Sequence, residues 1–306
     1  MERHSVLVIV NPVARRAPAR TELDEMLRPL RDEGHSFEIE LTASPGDATR
    51  IAAQSAGRGY TRVAACGGDG TLNEVLNGLD GQGAVTGLLP AGTGNVWAKE
   101  VGIPWDLKRA ARILVEAPAR RIDLGRANGR RFLLMCGIGY DGAVTARVPS
   151  GWKRRLGSTS YLLAGVPELR RFKPVRAVFE LDGQEQEAEF FMAVVGNSRS
   201  YGGVVNITKR AFVDDGLLDV CAFGGGSFWR LSRDVTRIAM GNHMNTPAIL
   251  YHRVRRLRLP LPGIPLQVDG DAFGESPLEV EVEPAAVSMV IPDGQWDVFA
   301  HPPRRN

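Results

Sequence analysis

The segment CGGDGTLNEVLNG, residues 66–78, places three glycines around one carboxylate. It follows the apolar run TRVAAC, which predicts a buried strand, and precedes a helical pattern. Glycine permits close backbone approach, and a helix N-terminus attracts phosphate. Because Asp69 repels bare phosphate, its position indicates a cation between them, most simply the Mg²⁺ of a nucleotide. The alternative is a glycine-rich turn in which Asp69 caps the helix.

A second loop, LLPAGTGNVWA, follows the next predicted strand and repeats this design. Gly92 and Gly94 give flexibility, while Thr93 and Asn95 supply side-chain donors at a helix start. The run VIVNP ends the first strand with Asn11. Since ligands bind beyond the carboxyl ends of parallel strands, we expect the three loops to share one edge of a sheet. Neither glycine loop matches GxxxxGK[ST], which excludes a Walker-type ATPase.

The elements that position these loops alternate between strand and helix patterns up to about Arg120, which predicts βαβ units and a parallel sheet. Beyond that point the pattern changes. Apolar runs with period two surround an Asn-Gly turn in RRIDLGRANGRRFLLMCGIG and an Asp-Gly turn in RAVFELDGQEQEAEFFMAVVGN. We therefore predict an α/β nucleotide-type domain followed by a β-rich, mostly antiparallel domain.

Composition narrows the class of protein. A chain of 306 residues with 43% hydrophobic and 24% charged residues is typical of a soluble globular protein. The net charge of +3 is too small to indicate a nucleic-acid partner, and we expect none. Three scattered cysteines favour a reducing cytoplasm. The run VLVIV is too short for a signal sequence, and no stretch approaches a membrane span.

Eight motifs follow one another along nearly the whole chain: VNP at 10–12, LTASPGDA at 41–48, GGDGTLNEVLNGL at 67–79, LPAGTGNVWA at 89–98, GIGYDGAV at 137–144, GNSRSYGGV at 196–204, FVDDGLLDV at 212–220 and VDGD at 268–271. In this order they resemble the diacylglycerol kinase catalytic family, which includes bacterial lipid kinases and is related to sphingosine kinases. GGDGT alone is shared with NAD kinases and, loosely, phosphofructokinases, whereas the full set is specific.

The resemblance implies a fold and an activity. Residues 1–122 would form an α/β ATP-binding domain like that of NAD kinase and phosphofructokinase. Residues 123–292 would form an antiparallel β-sandwich that binds lipid, and 293–306 a tail returning to the first domain. The expected activity, in a site between the domains, is transfer of the γ-phosphate of Mg-ATP to a hydroxyl of a membrane lipid such as diacylglycerol. The alternatives are a kinase similar to NAD kinase and a catalytically weak lipid-binding module.

The resemblance also assigns roles to residues. Asp69 would hold the phosphates through Mg²⁺, and Asp214 would face the catalytic network. A structural Mg²⁺ would bind Asp215 and the carbonyls of Phe212 and Leu217, although Asp-Asp-Gly by itself indicates only a tight turn. The residues expected around the nucleotide are Asn11, Thr42, Gly67, Gly68, Asp69, Gly70, Thr71, Asn73, Gly92, Thr93 and Asn95.

The acceptor side departs from the family. Its last motif usually ends Asp-Gly-Glu, the Glu being the base, but here it ends Asp269-Gly270-Asp271. We predict that Asp271 is the base although it is one methylene shorter. Asp269 is the fallback base, but its position also suits a turn. The resemblance gives Asp141 a hydrogen bond to the acceptor hydroxyl, and the alternative is a turn aspartate.

Two segments mix apolar and basic residues, RVPSGWKRRLG at 147–157 and ELRRFKPVR at 168–176. Such segments suit an anionic membrane surface, at about 1 kcal/mol per well-placed cation. Each is also explained as a solvated helix face. We expect peripheral, reversible contact of a cytoplasmic protein with the membrane, and we allow for a homodimer.

Overall fold

A computed structural model of the protein describes residues 2–300 except 82, 148–172, 204, 225–232, 235, 238, 239, 241 and 243–248. The chain forms two compact units. The first contains the residues up to Ile122 together with Ala285–Asp297, and the second contains Asp123–Pro284 with the short stretch that begins at Val298. Within the described ranges, no helix is long and apolar enough to cross a membrane.

The first unit is built on a parallel sheet in the strand order β2-β1-β3-β4. Right-handed crossovers place helix α1 on one face and helices α2 and α3 on the other. Consistent with this, α1 packs on α5, and α2 packs on α3. The strands are Ser5–Val10 (β1), Ser36–Leu41 (β2), Arg62–Gly67 (β3) and Val85–Pro90 (β4). The helices are Arg20–Asp32 (α1), Asp47–Gln54 (α2), Asp69–Gly78 (α3), Val96–Glu100 (α4) and Leu107–Glu116 (α5).

The apolar pattern of each element explains its place in this unit. All of β3 is buried, and α1 buries Leu23, Leu27 and Leu30, which share one helix face. Helices α2 and α3 approach closely because residue 78 is glycine, since a Cβ there would collide with the Thr49 carbonyl. The prediction of alternating strands and helices in this part of the chain is confirmed.

The last strand brings a distant part of the chain into the first unit. Strand Leu278–Val290 (β17) ends beside β4, where Met289 pairs with Thr86 in parallel register. Ile291, the first residue after β17, donates its N–H to the Pro118 carbonyl at 3.1 Å. Trp296 then lies against Gly102, where any Cβ would collide with the indole ring. The first unit therefore takes part of its sheet edge and packing from Ala285–Asp297.

The second unit is antiparallel, with β9 pairing β7, β8 and β12. The two predicted hairpin turns of this unit contain residues with positive φ, as such turns require. These residues are Asn128 and Gly129 in the first turn, and Asp182 and Gly183 in the second. The strands are Ala119–Ala127 (β5), Arg130–Phe132 (β6), Met135–Gly139 (β7), Val175–Leu181 (β8), Gln184–Gly196 (β9), Ser200–Tyr201 (β10), Val205–Asn206 (β11), Leu218–Gly224 (β12), Leu250–Val254 (β13), Arg256–Leu259 (β14), Pro265–Val268 (β15) and Asp271–Glu275 (β16), and Tyr140–Arg147 is helix α6.

Residues 190–196, the second half of β9, are buried on both faces of the strand and form the core of this unit. Ala193 and Val195 belong to a large cluster that includes Phe179, whereas Met192 and Val194 belong to a second cluster. Alternate residues of a strand point to opposite faces, so this division needs packed layers on each side. The predicted combination of a parallel-sheet α/β part and an antiparallel β part is confirmed.

Candidate functional site

The two glycine loops of the first unit touch through their backbones. The N–H groups of Ala91 and Gly92 donate to the Gly67 carbonyl at 2.8 and 3.1 Å. A Cβ on Gly92 would collide with the Gly68 Cα and lie 2.7 Å from the Asn95 Oδ1. Only a residue without a side chain fits there, so the glycines are needed for the loops to meet.

Asp69 fastens these loops together. It begins helix α3, but its carboxylate oxygens accept the N–H groups of Val96 and Trp97 in helix α4, each at 3.0 Å. Asp69 therefore caps the following helix, and Gly68 occupies the N-cap position of α3. Burial raises the pKa of Asp69, while the two N–H groups and Lys99 act in the opposite direction.

The loop after β1 joins the same edge of the sheet. The Asn11 Nδ2 donates to the Thr71 Oγ1 at 3.1 Å, and Arg16 donates its backbone N–H to the Ala91 carbonyl at 2.9 Å. Asn11 also accepts the Val13 N–H at 3.1 Å through its Oδ1. The structure thus brings the three predicted loops together.

Other predicted nucleotide residues occupy different settings. Thr42 is half-buried beyond β2, where its N–H donates to the Val10 carbonyl at 2.8 Å. Asn73 is buried inside α3, and its Oδ1 accepts a hydrogen bond from Asn77 at 3.1 Å. Thr93 is half-buried in the second loop. Thr42 and Thr93 lie at the carboxyl end of the sheet, whereas Asn73 contributes to the helix interior.

One buried, unpaired atom and one open position lie in the two glycine loops. Asn95 is fully buried with a φ of 45°, and its Nδ2 donates to the Gly92 carbonyl, while its Oδ1 has no protein partner. An added Cβ at Gly70 would find no heavy atom within 4 Å. Protein packing therefore does not require glycine at position 70, which lies in the first turn of α3.

The Asp69 carboxylate suits a nucleotide-bound Mg²⁺. A carboxylate offers about four lone pairs, of which the N–H groups of Val96, Trp97 and Asp69 itself occupy three, so one remains for a metal. In the described part of the chain, no three acidic, histidine or cysteine side chains cluster as metal ligands. A Mg²⁺ here would accordingly take most of its ligands from phosphate and water, as Mg²⁺ commonly does.

The second unit contains a buried carboxylate, Asp141, in the first turn of α6. It is not a surface turn residue. The Tyr201 hydroxyl donates to its Oδ1, and the Gln267 Nε2 donates to its Oδ2 at 2.7 Å. Burial raises the pKa of Asp141, and these two hydrogen bonds oppose that shift. A side chain at Gly137 would displace this network.

Gln267 also binds the turn that carries the predicted base. Its Oε1 accepts the Gly270 N–H at 2.7 Å. Asp271, the first residue of β16, has a 51% exposed side chain that pairs with Arg130 at 3.2 Å. One side chain thus connects the buried Asp141 to the turn before the exposed Asp271.

Asp269 organises this turn. Its φ is 46°, and its carboxylate accepts three backbone N–H groups at 2.8–2.9 Å. Those donors are Leu133, Leu134 and Met135. These bonds tie the carboxylate to the backbone of residues 133–135 and hold the turn in place. The turn-forming alternative for Asp269 agrees with this geometry, and Asp271 remains the predicted base.

Each residue of the segment Asp214-Asp215-Gly216 forms a hydrogen bond or an ion pair with another part of the chain. Asp214 is half-buried and accepts the Ala300 N–H at 2.7 Å. Asp215 forms an ion pair with Arg253 and accepts the Leu217 N–H at 3.0 Å. Gly216 donates to the buried Asp123 carboxylate at 2.7 Å.

Sequence reasoning missed several members of these networks. The motifs give no role to Gln267, Asp123 or Arg253, and Tyr201 lies in GNSRSYGGV without an assigned role. Their partners are distant in sequence, so no local pattern could identify them. Of the two predicted membrane segments, only Arg147 of the first and residues 173–176 of the second, which lead into β8, are described.

The structure defines a class: a parallel α/β unit with paired glycine loops suited to phosphate, and an antiparallel β unit with a carboxylate network. Residues 5–127 match the model of the diacylglycerol kinase catalytic domain. Residues 135–291 match the YegS C-terminal NAD kinase beta sandwich-like domain. The chain belongs to the diacylglycerol kinase catalytic domain family, which confirms the resemblance and the enzyme class expected from it.

Known proteins are similar to this one along nearly the whole length of the chain. A diacylglycerol kinase of Bacillus subtilis is 31% identical over 277 residues, covering 89% of this chain and 91% of the relative. A Pseudomonas aeruginosa protein named "Probable lipid kinase YegS-like" is 32% identical, with both chains fully covered. A crystal structure of a diacylglycerol kinase from Bacillus anthracis has a TM-score of 0.73 at 22% identity, covering 95% of this chain and 98% of that one. This last likeness shows the fold.

Proposed function

We propose that this protein transfers the γ-phosphoryl group of ATP to a hydroxyl of a membrane lipid such as diacylglycerol. The observation that carries the proposal is the contact between the two glycine loops, with open space beside Gly70 at the start of α3. The first N–H groups of a helix have no partner within it and favour anions. The loops therefore suit the triphosphate of a nucleotide.

Asp69 would hold the Mg²⁺ that accompanies ATP, and this ion would neutralise charge on the β- and γ-phosphates. Burial raises the pKa of Asp69, and the ammonium group of Lys99, which opposes that shift, adds positive charge near the carboxylate. Asn95 supports the same assignment, since its buried Oδ1 has no protein partner. Asn11, in the loop after β1, and Thr71, in the first turn of α3, would also contact the nucleotide.

Two carboxylates of the second unit, Asp271 and Asp141, would act on the lipid hydroxyl that accepts the phosphoryl group. Asp271 would accept the hydroxyl proton while the acceptor oxygen bonds to the γ-phosphorus and the bond to the β–γ bridging oxygen breaks, releasing ADP. Arg130 restricts the Asp271 side chain through their ion pair. Asp141, fixed by Tyr201 and Gln267, would hold the acceptor hydroxyl.

A pair of glycine variants tests the nucleotide site. Gly70→Ala should fold normally, because nothing lies within 4 Å of the new Cβ, but it should lose most MgATP affinity. The matched control is Gly83→Ala, which also has open space and lies outside the loops. Calorimetric titration with MgATP and thermal melting would be compared. Parental affinity in Gly70→Ala would remove that loop from the binding site.

The acceptor is tested by turnover on a lipid panel. Labelled ATP would be supplied with vesicles containing diacylglycerol, phosphatidylglycerol, sphingosine or ceramide, with NAD as a soluble comparison. Lipid-dependent product supports the proposal. Product from NAD alone would favour the soluble kinase alternative, and ATP-independent lipid binding without product would favour a binding module. Including anionic lipid in the vesicles tests the proposed peripheral membrane contact.

A further inference from the structure

The segment Phe212–Leu217, to which the family resemblance assigns a structural Mg²⁺, is bound by a guanidinium group. Arg253 of β13 forms an ion pair with the Asp215 carboxylate. Its Nε also lies 3.4 Å from the Asp219 Oδ2. Asp215 is only 12% exposed and Asp219 is fully buried, so the arginine supplies positive charge to two carboxylates removed from water.

A second arginine secures the other end of the segment. The Arg199 Nε donates to the Ala211 carbonyl at 3.1 Å, and its guanidinium lies 4.7 Å from the centre of the Phe212 ring. The Arg253 guanidinium lies 5.9 Å from the same ring. Phe212 is therefore held by cation–π contacts with both arginines, one of which also binds the neighbouring carbonyl.

The expected metal does not fit this arrangement. One Asp215 oxygen accepts the Leu217 N–H and the other contacts Arg253, so a cation would have to displace or approach the guanidinium. Mg²⁺ requires six oxygen ligands in near-octahedral geometry, and positive charges in contact repel strongly. A guanidinium, by contrast, presents several N–H donors in a planar fork that suits carboxylates.

We propose that Arg253 replaces the structural divalent cation, so that this segment keeps its conformation without bound metal. The inference goes beyond the proposed kinase activity and concerns a different ion from the one carried by ATP. Its test uses the chain without nucleotide or lipid, so failure of this inference and failure of the proposed function are distinguishable.

The first measurement is the melting temperature of the nucleotide-free protein in EDTA and in millimolar MgCl₂ or MnCl₂. A site that binds metal only in the folded state stabilises the fold as metal is added. We expect a difference of less than about 1 °C between EDTA and either metal. A saturable rise of several degrees that Asp215→Asn abolishes would overturn the proposal. A rise that persists in Asp215→Asn arises at another site and leaves the assignment intact.

The second measurement compares two arginine variants in EDTA. Arg253→Met should lower the melting temperature by several degrees, because it leaves Asp215 and the buried Asp219 without their cation. The control is Arg258→Met, which removes a 54% exposed arginine from an ion pair with Glu180 in the same unit. Equal melting of the two variants would contradict the proposal. If Arg253→Met does not fold, Arg253→Lys takes its place, and the EDTA comparison on the parent decides independently.

Discussion

Gln267 and Asp141, 126 residues apart in sequence, meet through a hydrogen bond of 2.7 Å in which the glutamine amide donates to the carboxylate. The same glutamine accepts the Gly270 N–H through its other side-chain atom. A single buried amide therefore fixes both the carboxylate proposed to bind the acceptor and the turn that leads to the proposed base.

We predict that Gln267→Met destabilises the second unit and impairs turnover. The change removes a donor to Asp141 and leaves the Gly270 N–H without its acceptor, which should cost about 1–3 kcal/mol. Urea unfolding measures the stability, and KM for lipid and for ATP measures the function. An effect on both KM values alike, with unchanged stability, would show that Gln267 does not position the acceptor residues.

Asp141→Asn should change the pH dependence of stability. Because burial raises the pKa of Asp141 above its usual 3.8, its favourable contribution is complete at lower pH and is lost as pH rises through the raised value. Asparagine does not ionise, so the stability of Asp141→Asn relative to the parent should increase from about pH 4 to about pH 7. Asparagine can accept from Gln267 and donate to the Tyr201 hydroxyl, which preserves the contacts.

Urea unfolding of both proteins across this pH range provides the measurement. Asp271→Asn is a suitable control, since its side chain is 51% exposed. A stability difference between Asp141→Asn and the parent that does not vary with pH would contradict the prediction.

Asp69→Asn should affect both folding and chemistry. An asparagine can accept only one of the two N–H groups of Val96 and Trp97, and its amide would face the other donor. We expect a loss of about 1.5–3 kcal/mol in unfolding free energy together with near-complete loss of phosphoryl transfer. Asp80→Asn, in the exposed turn after α3, serves as the comparison. Parental turnover at saturating MgATP would exclude Asp69 from the mechanism.

Gly92→Ala should disrupt the meeting of the two loops. The new Cβ would collide with the Gly68 backbone and crowd Asn95, so the loops must separate. Overpacking of this kind typically costs about 1–3 kcal/mol, and we expect MgATP affinity to fall with stability. Gly83→Ala, with open space around the new Cβ, should behave like the parent. Unchanged melting of Gly92→Ala would show that the loops tolerate a wider separation.

Asp271→Asn should lose most turnover and still bind MgATP, because the amide cannot accept the hydroxyl proton. Asp271→Glu is the informative companion. Activity at or above the parental level would show that the site accepts the longer side chain usual in the family, and loss would show adaptation to aspartate. Parental turnover by Asp271→Asn would refute the assignment of the base.

The sequence identified the glycine loops because strand, glycine and helix signals are local. The hairpin turns at Asn128 and Asp182 were predictable for the same reason, since both need positive φ followed by glycine. What Asp69 contacts was not predictable, because a carboxylate at a helix start normally caps its own helix. The N–H groups that it accepts belong to Val96 and Trp97 at the start of α4. They come within reach of Asp69 because β3 pairs with β4. The role of Arg253 is likewise set by the pairing of β12 with β13.

The return of Ala285–Asp297 to the first unit has a consequence for synthesis of the chain. Residues 123–284 must leave the ribosome before Met289 can pair with Thr86, a delay on the order of 10 s at about 5–20 residues per second. Until then the β4 edge carries unpaired backbone groups, which are prone to association with other chains. A fragment that stops at Ile122 would keep this open edge permanently and would lack Trp296. The first unit, although its synthesis begins first, is therefore among the last parts of the molecule to be completed.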